Sequence, residues 1–262
     1  MTRLIVNADD FGRAAGVNAG ILQAHRNGIV TATTLMVGAP ASEEAGRIAK
    51  STPSLDVGVH LTLTYGRPVT DPDRVPSLVE PGGAFPRDPA AFLGQDRAAR
   101  DEALIEYRAQ HARAADLLGR APTHLDTHHW LHDEPALEWA IIALARETGA
   151  AVRPHDDAQR GRLRAAGVQT VDRYRRDFQH AGHVDVPTLV RILEEIGTDQ
   201  IDGRSESVTE LGCHPGEPDH ELERTSAYAA LRVTELATLT DPRVRAAIEP
   251  NRIRLVTYAE LS

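Results

Sequence analysis

Hydrophobic positions along the chain fall into two alternating rhythms. Short β-branched or leucine-rich runs are followed by longer Ala/Leu/Arg/Glu stretches, the order in which parallel strands are joined by crossover helices. Leu4–Asn7 predicts a first strand, and Gly16–Asn27, with Val17, Ile21, Leu22 and His25, a helix that Gly28 ends. Thr31–Val37 reads as a second strand, Ala41–Lys50 as a helix and Asp56–Leu63 as a third strand. Arg97–Leu118 is a long amphipathic helix with Ala103, Leu104, Tyr107 and Ala114 near one face. Thr123–Thr127 follows as a strand, then a helix over Glu134–Thr148 with Asp133 as its cap and Gly149 as its stop. A strand at Ala151–Arg153, helix Pro187–Gly197, strand Ser207–Cys213, helix Glu221–Leu239 and strand Ile253–Thr257 complete the series.

Two stretches break this rhythm. Tyr65–Gln95 is rich in Pro, Gly and Asp, and His155–Val186 is polar with many Arg and Asp. Loops so long inside a compact domain usually cover a site, so both are candidate lids. About seven strands over roughly 250 residues fit a single α/β domain spanning 1–262, a (β/α) barrel with long βα loops over its C-terminal face. An open doubly wound sheet also satisfies the pattern.

Composition narrows the function. Of the 262 residues 41% are apolar, enough to fill a core, and 29 Lys+Arg against 38 Asp+Glu leave a net charge of −9. That balance lacks the basic footprint of a nucleic-acid or anionic-membrane binder. A single cysteine, Cys213, excludes an internal disulfide and a thiolate zinc cluster. The longest apolar run, Trp139–Ala145, is far short of the roughly 20 residues of a spanning helix. Leu4-Ile5-Val6 leads within three residues to Asp9 and Asp10 rather than into a signal-peptide core, so the expected compartment is the cytoplasm.

Histidine is the prominent residue. There are 12, and His124, His128, His129 and His132 fall within nine positions. In α/β folds of this kind the site lies where strands give way to loops at their carboxyl ends. Those positions hold Asn7-Ala8-Asp9-Asp10, His60, the His124–His132 segment and Cys213-His214-Pro215-Gly216. Taken alone, His60 reads as a packed core histidine, Asp9-Asp10 as a helix cap and His214 as a turn residue. Cys213 and His214, as strand neighbours, point to opposite faces and do not make a dyad. In extended chain, however, His124, Asp126 and His128 share one face, a combination for which a structural core has little use. With the acidic pair Asp9-Asp10 and His60 from other strands, the segment offers imidazole and carboxylate donors for a divalent ion with open positions, zinc or magnesium.

Five blocks also resemble a family. Leu4-Ile5-Val6-Asn7-Ala8-Asp9-Asp10-Phe11-Gly12, Asn27–Thr34, Gly58–Thr64, Pro122–His129 and Cys213–Gly216 look like the YdjC-type carbohydrate deacetylases, which include chito-oligosaccharide deacetylases. The resemblance implies a distorted TIM-like barrel, one divalent metal and hydrolysis of the N-acetyl group of a sugar, releasing acetate. It places Asp10, His60 and His128 on the metal, Asp9 as base and His214 near the leaving group, and it suggests a homodimer. One departure is visible: a position the family often fills with histidine is Trp130 here, a platform for a sugar ring or a core residue.

The mechanism expected from these residues has Asp9 deprotonating a metal-activated water and His214 protonating the departing amine. His124 and Asp126 would support the ligands from behind, and Arg153 would stabilise an oxyanion or sit in a surface ion pair. His129, His132 and His155 have no assigned role, and His180 reads as an ordinary loop residue. The expected partner is a small N-acetylated mono- or oligosaccharide. The competing readings are a metal-dependent sugar-phosphate hydrolase or isomerase and a non-catalytic sugar-binding protein.

Overall fold

A computed structural model describes residues 2–94, 97–179, 182–199 and 207–261, with Arg97 and Ala98 described as backbone only. Eight strands and nine helices are seen among them: β1 (Thr2–Phe11), α1 (Ala15–Asn27), β2 (Ala32–Leu35), α2 (Ser42–Ser51), β3 (Asp56–Leu61), α3 (Arg97–Leu118), β4 (His124–Thr127), α4 (Pro135–Thr148), β5 (Ala151–Val152), α5 (Asp157–Ala165), β6 (Arg173–Arg175), α6 (Val186–Thr198), β7 (Val208–Cys213), α7 (His220–Thr225), α8 (Ala229–Leu239), α9 (Pro242–Ala246) and β8 (Ile253–Leu255). The strands pair in the order β5-β4-β3-β2-β1-β7-β6, and β8 pairs with β1. Every pairing is parallel. Residues Arg3–Ala8 of β1 face β7, whereas β8 pairs with its first residues and β2 with its last.

The sheet is curled. At about 4.8 Å per strand, β1 and β5 would lie roughly 19 Å apart in a flat sheet. Arg153, the residue after β5, instead bonds Asp9 on β1 and Glu210 on β7. A distorted (β/α) barrel results.

Period two along the strands divides the core. On β1, Leu4, Val6 and Ala8 join the outer cluster between sheet and helices, while Ile5 belongs to an inner cluster with Ala32, Ala151, Val208 and Val256. That inner cluster closes the N-terminal end of the barrel. Two residues further along each strand the inward positions turn polar: Asn7, Thr34, Arg153 and Glu210. The site therefore has an apolar floor beneath it, and its charged groups are held in the C-terminal half.

Four expectations need correction. β1 runs to Phe11, so Asp9 and Asp10 are in the strand and not beyond it. Asp133 does not cap α4. His128–Asp133 forms a 3-10 segment that leaves Glu134 at the cap position without a side-chain cap bond, and the Asp133 carboxylate pairs with His155. The His155–Val186 stretch is no plain loop, for it contains α5 and β6 and raises the strand count to eight. The single helix expected over Glu221–Leu239 is interrupted at an extended Ser226, so Thr225–Tyr228 can form a wall of the cleft described below. The other excursion carries three 3-10 turns, each beginning at a proline, and its end at Gln95 lies outside the described residues. Among the described residues no helix is long and apolar enough to cross a membrane.

Gly58 on β3 faces the barrel interior, where an added methyl group would collide with the His124 carbonyl and lie 2.7 Å from its ring. Gly58→Ala is expected to lower stability by about 1–3 kcal/mol, the usual cost of overpacking, without removing any ligand side chain. Denaturant unfolding of the variant against the parent protein measures this, and an unchanged midpoint would contradict the close packing.

Candidate active site

At the end of β1 the register against β2 shifts between Ala8 and Phe11, and Asp10 has φ 72°. A bulge with one residue in the left-handed region breaks strand alternation. Two consecutive acids, which an ideal strand would send to opposite faces, both line the cleft. Its cavity of about 420 Å³ has Asp9, Asp10, His60, His128 and His214 at the base and Tyr65, Trp130 and Tyr228 among its walls. That volume is within the usual range of small-molecule sites.

Three donor atoms converge. His60 Nε2 and His128 Nδ1 are 3.4 and 3.3 Å from Asp10 Oδ1, and 3.3 Å from each other. The circle through three such atoms has a radius of about 1.9 Å, so a point roughly 2.1 Å from all three exists just off their plane, a normal metal-ligand distance. Asp10 Oδ1 is buried and has no hydrogen-bond partner among the described residues, an arrangement that costs free energy unless something cationic meets it. These residues fit a divalent cation. His60 Nδ1 is 2.7 Å from Asp126 Oδ1, and donation of its proton there leaves the Nε2 lone pair facing the other two donors.

Asp9, His60 and Asp126 also bring donor atoms together. A cation already stands among them. Arg153 is 1% exposed, and each nitrogen of its guanidinium donates a hydrogen bond to a carboxylate, Nε to Glu210 and both Nη atoms to Asp9. Nε contacts Glu210, Nη1 contacts Asp9 and Asp126, and Nη2 contacts Asp9 and Glu210, all at 2.6–2.8 Å. Arg153 is therefore not in a surface ion pair but enclosed by buried carboxylates. Its role is to hold carboxylates.

Electrostatics follow from burial and these partners. Burial pushes the Asp9 carboxyl up, but the charge and hydrogen bonds of Arg153 override it and hold Asp9 well below the usual carboxylate range. Burial likewise opposes ionisation of Asp10, and Arg232 with His128 overrides it. His60 would be depressed by burial, yet Asp126, Asp9 and Asp10 raise it to about 9, so a metal at Nε2 must displace a proton. His214 is pushed down to about 4, chiefly by burial. Its Nε2 is 3.8 Å from Asp9 Oδ2.

The remaining predicted residues lie around this centre. His124 is fully buried, stacked on Tyr258 at 3.9 Å, and its Nε2 is 3.0 Å from Asn7 Oδ1, while Asn7 donates to Asp9. It reaches Asp9 only through Asn7. Asp126 accepts from Thr34 and binds His60 and Arg153. Trp130 stacks on His155 at 5.1 Å and also lines the cleft. His129 and Trp130 both have positive φ, near 60°. His129 contacts Thr64, His132 is buried against Thr127, and His180 lies outside the described residues.

Sequence reasoning missed Tyr228 at the N-cap of α8, Arg232 and Glu235 on α8, Glu210 on β7 and Arg13, which lies over the Tyr65 ring at 4.5 Å. Arg232 pairs with Asp10 Oδ2. For Glu210 a signal was present, an acid at an inward position of an apolar strand; an arginine within an amphipathic helix gives none.

Comparison with known proteins agrees with this architecture. A family model described as YdjC-like protein matches residues 3–250. The chain is 41% identical to a carbohydrate deacetylase of Geobacillus stearothermophilus over 256 residues, 98% of this chain and 96% of that one. It is 34% identical to a chitooligosaccharide deacetylase of Yersinia pestis (strain Pestoides F), covering 98% of each. Among solved structures, a candidate cellobiose-phosphate cleavage protein from Enterococcus faecalis V583 superposes with a TM-score of 0.90 at 32% identity, covering 100% of this chain and 99% of that one.

Replacing Arg153 by methionine leaves Asp9, Asp126 and Glu210 buried without their cation. Removing one partner of a buried ion pair typically costs about 3–5 kcal/mol, and Arg153→Met is expected to cost at least that by chemical denaturation. A loss below about 1 kcal/mol, the scale of an exposed pair, would show that the guanidinium is not the hub described.

Proposed function

The chain belongs to the YdjC-like family, and on that premise we propose that it is a metal-dependent carbohydrate N-deacetylase, one catalytic domain running through residues 1–262. The substrate is an N-acetylated mono- or oligosaccharide of the chito-oligosaccharide type, and the products are acetate and an amino sugar. The observation that carries this reading is the triangle of Asp10, His60 and His128 with Asp9 beside it and His214 3.8 Å from Asp9. The relatives' names support the deacetylase reading over a sugar-phosphate enzyme or a non-catalytic binder.

Asp10 Oδ1, His60 Nε2 and His128 Nδ1 would hold one divalent ion, magnesium or zinc, which when bound supplies Lewis acidity for the acetamide carbonyl and for water. Asp9 takes the proton of the attacking water. Because Arg153 keeps the Asp9 carboxyl far below neutrality, Asp9 retains that proton only briefly. The His214 ring, 3.8 Å from Asp9 and kept neutral by burial, receives it and delivers it to the leaving sugar nitrogen. Asp126 fixes the His60 tautomer, and Asn7, itself bonded to His124, steadies Asp9. Trp130, backed by His155, offers a flat face to a sugar ring.

Acetate release from N-acetylated mono- to tetrasaccharides is expected to stop on chelation and to return with added zinc or magnesium. No release from any of them would end the deacetylase reading. His60→Ala and His128→Ala are each expected to lose near-stoichiometric metal in elemental analysis, and full retention in either variant would remove that residue from the ligand set. For Asp9→Asn the expectation is metal retained and turnover reduced by roughly 100-fold or more, the scale of general base catalysis; a metal-loaded variant of normal activity would assign the proton transfer elsewhere.

A further inference from the structure

Tyr228, Arg232 and Glu235 are four and three residues apart, the spacing of one helical face, and that face of α8 meets the mouth of the barrel. Glu235 is fully buried. Its Oε2 accepts the His214 backbone N–H at 2.5 Å, and its Oε1 contacts the Tyr228 hydroxyl. The same hydroxyl oxygen is 2.9 Å from the Gln179 carbonyl oxygen. A carbonyl and a carboxylate can only accept, and a phenol carries one hydrogen. Two contacts around that oxygen need two protons, and the second has one place to sit.

We propose that Glu235 is a protonated carboxylic acid in the working protein and a positioning residue, donating its own proton to Tyr228 so that Tyr228 can donate to Gln179, while its carbonyl oxygen holds the His214 main chain. Three cleft-lining residues, from the exit of β7, the start of α8 and the turn after β6, are thereby tied together through one buried acid. The charged and titratable groups facing it are Arg232 on its own helix, Tyr228 at that helix's N-cap, His214 and the Cys213 thiol from β7 and its exit, and Asp9 from β1. Burial first, and the Asp9 charge after it, raise Glu235 to about 7 against the lowering by the His214 N–H, Tyr228 and Arg232. Once the acid ionises, the single Tyr228 hydrogen turns to the carboxylate, and the link to Gln179 is lost.

The bearing on catalysis rests on the deacetylase reading and on His214 as the acid; the protonation itself does not. Infrared difference spectra of the full protein at pH 6 are expected to show a protonated-carboxyl C=O band that is lost in E235Q, without any substrate present. Absence of that band overturns the proposal. Stability is expected to fall as pH rises from 4.5, where Glu235 of the unfolded chain ionises, through about 7, with that slope missing in E235Q. In acetate release, E235Q keeps a donor and an acceptor and is expected to stay within a few-fold of the parent at pH 6 and to lose the decline of rate through pH 7. E235L, with metal content unchanged, is expected to fall by about 10- to 100-fold, the scale of losing support behind a site residue. An E235Q protein as slow as E235L would mean that a charged carboxylate is required and would overturn the assignment. If the parent protein released no acetate at all, the deacetylase reading alone would fail, because the infrared and stability measurements stand apart from it.

Discussion

The interior of the barrel is organised around one guanidinium. Arg153 contacts carboxylates from β1, β4 and β7, strands that only a curled sheet can bring together. A buried ion set of this kind is weak as a source of stability, since desolvation offsets most of the attraction. Its effect is on position. The rows of donors fix Asp9 and Asp126 before any ligand arrives, and Asp126 in turn orients His60. Four carboxylates, those of Asp9, Asp10, Asp126 and Glu210, face two guanidiniums, Arg153 and Arg232, across this region. Carboxylates thus outnumber guanidiniums here, and a divalent ion at the three-donor triangle would add positive charge where it is needed.

Backbone strain concentrates where the chemistry is placed. Asp10, His129 and Trp130 are three of the four non-glycine residues with positive φ among the described residues. Each such residue costs on the order of 1 kcal/mol or more and persists only where the surroundings dictate it. At Asp10 the return is a second carboxylate on the inner face. After His128 it is a reversal that sets Trp130 against His155 and Tyr174 at the cleft edge.

The alternation of strands and helices was legible because apolar periodicity records which face meets the core, and β3, α3 and β4 fall close to the boundaries it predicts. His128 stood out because His124, Asp126 and His128 share one face in extended chain, whereas His60 taken alone reads as a packed core histidine and joined the expected ligand set through the family resemblance. What stayed hidden depends on three-dimensional proximity. Ser226-Ala227-Tyr228 contains no helix breaker, so nothing local marks the interruption before α8. The polar stripe of Tyr228, Arg232 and Glu235 resembles a solvated face until the helix is docked against the barrel mouth. Arg153 was noticed as a strand-end residue, but only the curl of the sheet turns its side chain inward among acids instead of outward to substrate.

Adjacent carboxylates in one buried site ordinarily repel, and one of them is expected to take up a proton. Here both stay ionised because each has its own arginine, and the two pairings differ in a way that separates their roles. Arg153 engages both oxygens of Asp9 from within the barrel, and Asn7 donates to one of them as well. Little of that carboxylate remains for a metal, while its charge stays where a proton must pass. Arg232, reaching in from α8, takes only Oδ2 of Asp10. Oδ1 is left bare beside His60 and His128. In the proposed mechanism, of two chemically identical neighbours, the one held by a single oxygen is free to ligate, and the one clamped by both handles the proton.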